Sequence, residues 1–143
     1  KNLISYIVRE REDIYFVFMG VYAWDSHPQI VHLEPTLDLV CKQEFISMCD
    51  AMVVPETMGH TFGLSIAEFS IYNKPVLCYN GPVMNRAHIE ILGDKGIYFD
   101  NPDTFYKLIT TFRGIETSGK DWNAYREYSP DNIMRQFEKV FLQ

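Results

Sequence analysis

The residues best suited to chemistry stand between Pro55 and Phe69, in the order Pro-Glu-Thr-Met-Gly-His-Thr-Phe-Gly-Leu-Ser-Ile-Ala-Glu-Phe. An apolar run of strand length ends at Pro55, a glycine-containing loop follows, and the spacing predicts a helix over Thr61–Tyr72. The start of a helix carries amides without an intrahelical acceptor and the positive end of the dipole, so it binds an anion without a basic side chain. Gly63, in the predicted first turn, removes a side chain where a phosphate would have to come close. Thr61, Ser65, Glu68 and Tyr72 are spaced to form one polar line, with Phe62, Ile66 and Phe69 on an apolar line beside it. Glu68 would then stand roughly 10 Å along the axis from the anion-binding end, at ~1.5 Å per residue. That is the reach from a diphosphate to the hydroxyls of its ribose, and one carboxylate can accept from both hydroxyls of a vicinal diol. Spacing alone leaves a second account open, in which Glu68 is a half-exposed residue of an ordinary amphipathic helix.

The flanking sequence predicts what positions this segment. Helices are expected at Asn2–Glu12, Leu37–Met48, Thr61–Tyr72, Ala87–Leu92, Pro102–Phe112, Lys120–Glu127 and Pro130–Leu142, from apolar stripes and start and stop residues. Thr36 or Asp38 is the candidate cap of the second, with Val40, Cys41, Phe45 and Met48 on its buried side. Strands are expected at Ile14–Met19, Ile30–Leu33, Ala51–Val54, Pro75–Tyr79 and Gly96–Phe99, short apolar runs suited to burial on both faces. Alternation of such strands with helices predicts a single α/β domain, a Rossmann-like parallel sheet of about five strands with helices on both faces. Ligands of such sheets bind outside the carboxyl ends of the strands, where the Pro55–Phe69 segment begins.

Composition narrows the functions further. The 143 residues carry 13 Lys and Arg against 19 Asp and Glu, a formal charge of −6 with no basic run, which argues against nucleic acid as a partner. Aromatic residues, 15% of the chain, are spread along it and read as core. Cys41, Cys49 and Cys78 fit neither a disulfide framework nor a zinc pattern, and read as small buried hydrophobes in a reducing, cytoplasmic setting. The four histidines show no metal-ligand spacing, and no Asp-x-Asp metal pair occurs. No apolar run spans a bilayer. Arg86, His88 and Glu90 could support acid–base work, but read better as a solvated helix start. Trp24 and Trp122, expected in a loop and on a late helix, read as packing.

Gly59-His-Thr-Phe-Gly-Leu-Ser-Ile-Ala-Glu-Phe69, followed by Asn73-Lys-Pro-Val76, resembles the donor-site motif of retaining GT-B glycosyltransferases (glycosyl transferases group 1). That motif has a Glu, a Phe-Gly-Leu, a second Glu eight residues after the first, and then a Pro-Val strand. Phe45–Val53 resembles the helix and strand leading into it, and Tyr128–Phe137 the closing helix of the domain. The resemblance implies the C-terminal, donor-binding half of a GT-B fold, taking a UDP- or GDP-linked sugar and passing the glycosyl group to an acceptor glycan or other hydroxyl compound. Transfer would proceed with retention, without a metal or other cofactor. It further implies that Glu68 binds the ribose, that the backbone of Phe62, Gly63 and Leu64 meets the diphosphate, and that Gly59 lies in the loop facing the donor sugar, with Thr61 at the helix start a further candidate substrate-binding residue. Leu33–Thr36 would lie near the nucleobase.

Two departures qualify the resemblance. His60 stands where the family usually has its first Glu, which contacts the donor sugar near the anomeric carbon. A histidine donates, accepts or carries positive charge, but does not supply a fixed negative one. His60 is therefore the candidate catalytic residue or a polar residue at a helix start, with Glu56 nearby. The family's Arg and Lys, and the central first strand before them, have no counterpart here unless Lys1 is the remnant of that Lys. The expectation is that this strand and an N-terminal acceptor domain belong to a parent chain. Without the strand, Ile14–Met19 and Ala51–Val54 leave a gap or pair directly, and the chain is less stable or pairs with another copy. The alternative function is a non-catalytic partner subunit that kept the fold.

Overall fold

Short apolar runs flanked by helix-forming segments fold here into parallel pairs, as the alternation requires. The computed structural model describes residues 1–113 and 117–142 and falls into two compact units, Lys1–Met48 with Asp100–Arg113, and Cys49–Phe99 with Gly114–Gln143. The fold is α/β with parallel sheets.

In the first unit β1 (Phe16–Met19) pairs in parallel with β2 (Ile30–Leu33), with Phe16 opposite Ile30 and Met19 opposite Leu33. Helix α1 (Asn2–Glu10) buries Ile7 and Val8. Helix α2 (Leu39–Met48) is capped by Asp38, whose Oδ1 accepts from the amides of Val40 and Cys41 at 2.7 and 3.1 Å. Its expected buried side is corrected: Val40, Cys41 and Met48 are exposed, Phe45 is half-buried, and Ile46 is the buried residue. Trp24 packs edge-on against Phe18 and His32, and the Lys1 ammonium lies 5.6 Å from its ring centroid. Lys1 is thus placed on an aromatic face. Tyr22 is almost wholly exposed, so the aromatic content is not all core.

The second unit holds β3 (Met52–Val54), β4 (Val76–Tyr79) and β5 (Gly96–Phe99) as a parallel sheet in that order. Helix α3 (Leu64–Ile71) joins β3 to β4, and α4 (Ala87–Leu92) with a short 3-10 turn joins β4 to β5. Helix α5 (Pro102–Thr111), in the first unit, starts with a capping box between Asn101 and Thr104. Helix α6 (Pro130–Phe141) starts at Ser129, whose hydroxyl accepts from the Asn132 amide. The helix expected over Lys120–Glu127 does not form. Its residues turn, because Asn73 and Ser70 capture their backbone: Asn73 binds the Lys120 carbonyl and the Trp122 amide, and Ser70 binds the Trp122 carbonyl and the Ala124 amide. Trp122 is buried in this turn rather than on a helix.

The five strands form two sheets rather than one, and no ladder joins β1 to β3 among the described residues. Cys78 is buried in β4, with its thiol pushed up to about 12 by burial, and Cys49 is half-buried, whereas Cys41 is exposed, against the expectation for all three. No helix among the described residues is long and apolar enough to cross a membrane.

Candidate functional site

Parallel strands deliver their following loops to one rim, so the loops after β3 and β4 must be neighbours. They are joined by a bridge between Gly59 and Asn85, with the Asn85 amide donating to the Met58 carbonyl at 3.2 Å. Gly59 has φ 69°, a left-handed value, and a side chain there would strike the Asn85 carbonyl. The loop carrying Gly59, His60 and Thr61 is therefore held against the start of α4.

Helix α3 starts later than its pattern suggests. Gly63 is its N-cap, at φ 81° and ψ 71°, with no side-chain cap, and the first helical bond runs from the Ala67 amide to the Gly63 carbonyl at 2.8 Å. The leading amides are accordingly those of Leu64, Ser65 and Ile66, a correction to Phe62–Leu64. Thr61 and Phe62 precede the helix, so neither belongs to its polar or apolar line. The cause is Gly63 itself, whose left-handed backbone breaks the helical run before Leu64. Ile66 and Phe69 are buried as the apolar line predicts. Glu68 is half-buried and one turn in, about 6 Å along the axis from Leu64 at ~1.5 Å per residue. Thr61, Leu64 and Ser65 are exposed.

Phe62 anchors the loop from behind. Its carbonyl accepts from the Tyr125 hydroxyl at 2.6 Å, and its ring packs edge-on against Tyr125 and Tyr128. Tyr125 is almost wholly buried, and burial raises its phenol above the ordinary range.

His60 is half-buried, with its Nε2 3.7 Å from a carboxylate oxygen of Glu56. Its ring meets the ring of His88 edge-on, with centroids 5.2 Å apart. His88 is only 1% exposed, which corrects its reading as part of a solvated helix start. Its Nδ1 lies 3.2 Å from the His60 amide nitrogen and 3.1 Å from the His60 carbonyl oxygen. Burial lowers its pKa from the ordinary 6.5, against the His60 backbone contact, which raises it. The sequence carried a signal for this pairing, since His60 and His88 follow consecutive strands, but no spacing rule measures a distance across two loops. Arg86 is exposed and donates to the Asn80 side chain at 2.6 Å and to the Gly81 carbonyl.

Two open hollows, of about 390 and 560 Å³, lie elsewhere in this unit. The first is lined by Gly93, Asp94 and Lys95, which precede β5 and so belong to the amino rim of the sheet. Neither is lined by a residue of Gly59–Glu68. Leu33–Thr36, expected near a base, belongs to the first unit. Among the described residues no three His, Cys, Asp or Glu side chains converge as a metal site. Comparison of the chain with protein-family models, curated proteins and solved structures finds no match.

Proposed function

We propose that the loop after β3 and the start of α3 bind the diphosphate and ribose of a nucleoside-diphosphate sugar, in a Rossmann-like domain of GT-B type whose parent protein transfers the glycosyl group to an acceptor. The observation that carries this reading is the start of α3. It follows a strand at the carboxyl rim, is capped by a left-handed glycine rather than a side chain, and has a carboxylate one turn in. An anion on the amides of Leu64, Ser65 and Ile66 would be held by N–H groups that have no acceptor within the helix. Gly63 supplies the close backbone approach, and Glu68 would accept from the ribose hydroxyls. The motif resemblance makes the anion a diphosphate rather than any other.

At the sugar end, His60 stands beside Glu56. A carboxylate four residues before the histidine in the same loop offers the negative charge that the histidine lacks. In transfer, developing positive charge near the anomeric carbon would be met by Glu56, with His60 placed to hydrogen-bond the sugar. The leaving diphosphate would be stabilised by the α3 amides. The second reading, a non-catalytic partner subunit, is favoured by the histidine itself at position 60.

Titration of UDP and GDP into the chain tests the binding claim. Saturable binding is expected, weakened by roughly 1–3 kcal/mol in Glu68→Ala through lost hydrogen bonds to a charged group. Equal affinity in both proteins would remove Glu68 from the site. Turnover of a nucleotide sugar by the parent protein, lost in Glu56→Gln and His60→Ala, separates enzyme from partner subunit.

A further inference from the structure

One ring nitrogen in this site faces two incompatible partners. An Nδ1 without hydrogen accepts from the His60 amide, and an Nδ1 with hydrogen donates to the His60 carbonyl. Both backbone groups lie within hydrogen-bond distance of that one atom, at 3.2 and 3.1 Å. His88 cannot satisfy both at once, and a cationic ring, protonated on both nitrogens, can satisfy only the carbonyl while setting its Nδ1 hydrogen against the amide hydrogen.

We infer that His88 is a positioning residue that couples the His60 backbone to protonation, gripping its amide as the neutral ring protonated on Nε2 and its carbonyl when charged. The mechanism requires an imidazole held still and a partner peptide able to respond. His88 is nearly wholly buried in the first turn of α4. The His60 peptide lies in a loop next to Gly59, whose left-handed backbone sets the chain direction there.

The groups that bear on His88 come from each neighbouring element. From the loop after β3, the His60 backbone contact and Glu56 favour the charged ring and the His60 side chain disfavours it. From its own loop Arg86 disfavours it, as does burial, the largest influence. Neither Cys78 on β4 nor Tyr98 on β5, both pushed up to about 12 by burial, carries charge in the acid range. Burial therefore keeps the ring neutral at rest, the Nε2-protonated tautomer is the one that grips the amide, and acid drives the change. Its consequence for ligand rests on the proposed function: the reoriented peptide adjoins the donor loop, so nucleotide-sugar affinity would change with the proton. The coupling itself does not depend on that reading.

The test follows backbone amide and imidazole resonances of the chain by NMR across the acid range. The residue-60 amide is expected to move with the midpoint of the His88 ring, below 6.5. In His60→Phe, which keeps an aromatic ring but cannot titrate, the residue-60 amide still follows His88. In His88→Asn, which can accept from the amide but does not titrate, it stops moving. The inference is overturned if the amide is still while His88 titrates, or if its movement disappears in His60→Phe. If His88→Asn does not fold, wild type and His60→Phe decide alone. UDP and GDP titrations at about pH 5 and about pH 8, values bracketing the histidine range, separate the two claims. Absence of binding at both values with a titrating amide sinks the donor site and supports the coupling. Binding together with an amide that ignores His88 does the reverse.

Discussion

Gly59 faces Asn85 so closely that a Cβ on Gly59 would fall 1.9 Å from the Asn85 carbonyl oxygen. The atom in the way is backbone, and backbone in a bridged pair cannot swing aside as a long side chain can. The same glycine sits at φ 69°. Two independent requirements, a left-handed backbone and empty space, thus fall on one residue that joins the loops after β3 and β4.

Gly59→Ala is therefore expected to destabilise the second unit by at least about 2 kcal/mol, the left-handed penalty plus the displaced bridge. Urea denaturation followed by circular dichroism would measure it. A midpoint unchanged from wild type would show that the two loops are not held in this way.

Gly63 separates binding from stability. Its φ of 81° makes Gly63→Ala cost about 1–2 kcal/mol of folding stability. The methyl would also crowd the buried Ile66 side chain, 2.8 Å from its Cδ1 and 3.3 Å from its Cβ, so that side chain must shift as well. The larger expected effect is on UDP and GDP binding, because the methyl stands beside the leading amides of α3. Calorimetry should show a greater loss than Glu68→Gln causes, as that variant keeps one acceptor oxygen. The reverse order would move the diphosphate away from α3.

Tyr125→Phe removes the hydroxyl that donates to the Phe62 carbonyl. A part-buried acceptor left without its donor costs about 1–3 kcal/mol. The packing of rings around Phe62 stays, so the loss should show in the unfolding midpoint with little change in its denaturant slope. If the midpoint holds, water has replaced the hydroxyl.

Stability should fall in acid in two windows. His88 has a lowered folded value, so below 6.5 the unfolded chain binds a proton that the folded chain resists. Its contribution is complete above 6.5 and declines as pH drops through the folded value. The carboxyls of Asp121, held low by Lys95, and of Asp25, held low by Ser5, lose their contributions only below 3.8. His88→Asn should flatten the upper window of a pH-stability curve and leave the lower one intact. An upper window that survives the substitution would assign it to another group.

Much of the local structure was legible because it depends on neighbours in sequence. All five strands were read from their apolar runs, and the cap of α2, Asp38, is one of the two candidates named for it and lies next to the helix it starts. The start of α3 was misread because its polar and apolar spacing continues upstream through Thr61 and Phe62, and spacing carries no information about φ. The Lys120–Glu127 segment was misread for a different reason. Its helical pattern is overridden by Asn73 and Ser70, roughly fifty residues earlier, which take up its backbone groups.

Sequence by itself determined the alternation of strand and helix, and so the parallel pairing and the rim at which the Gly59–Glu68 segment emerges. It also determined the order Gly-His-Thr-Phe-Gly-Leu on which the donor-site proposal rests. Only the tertiary structure decided that the strands divide into two sheets, that His88 is buried against the His60 peptide, and that Tyr125 reaches the Phe62 carbonyl. Periodicity records which face of one element avoids water. Contacts between loops depend on how separate elements pack, and that is written in no single stretch of chain.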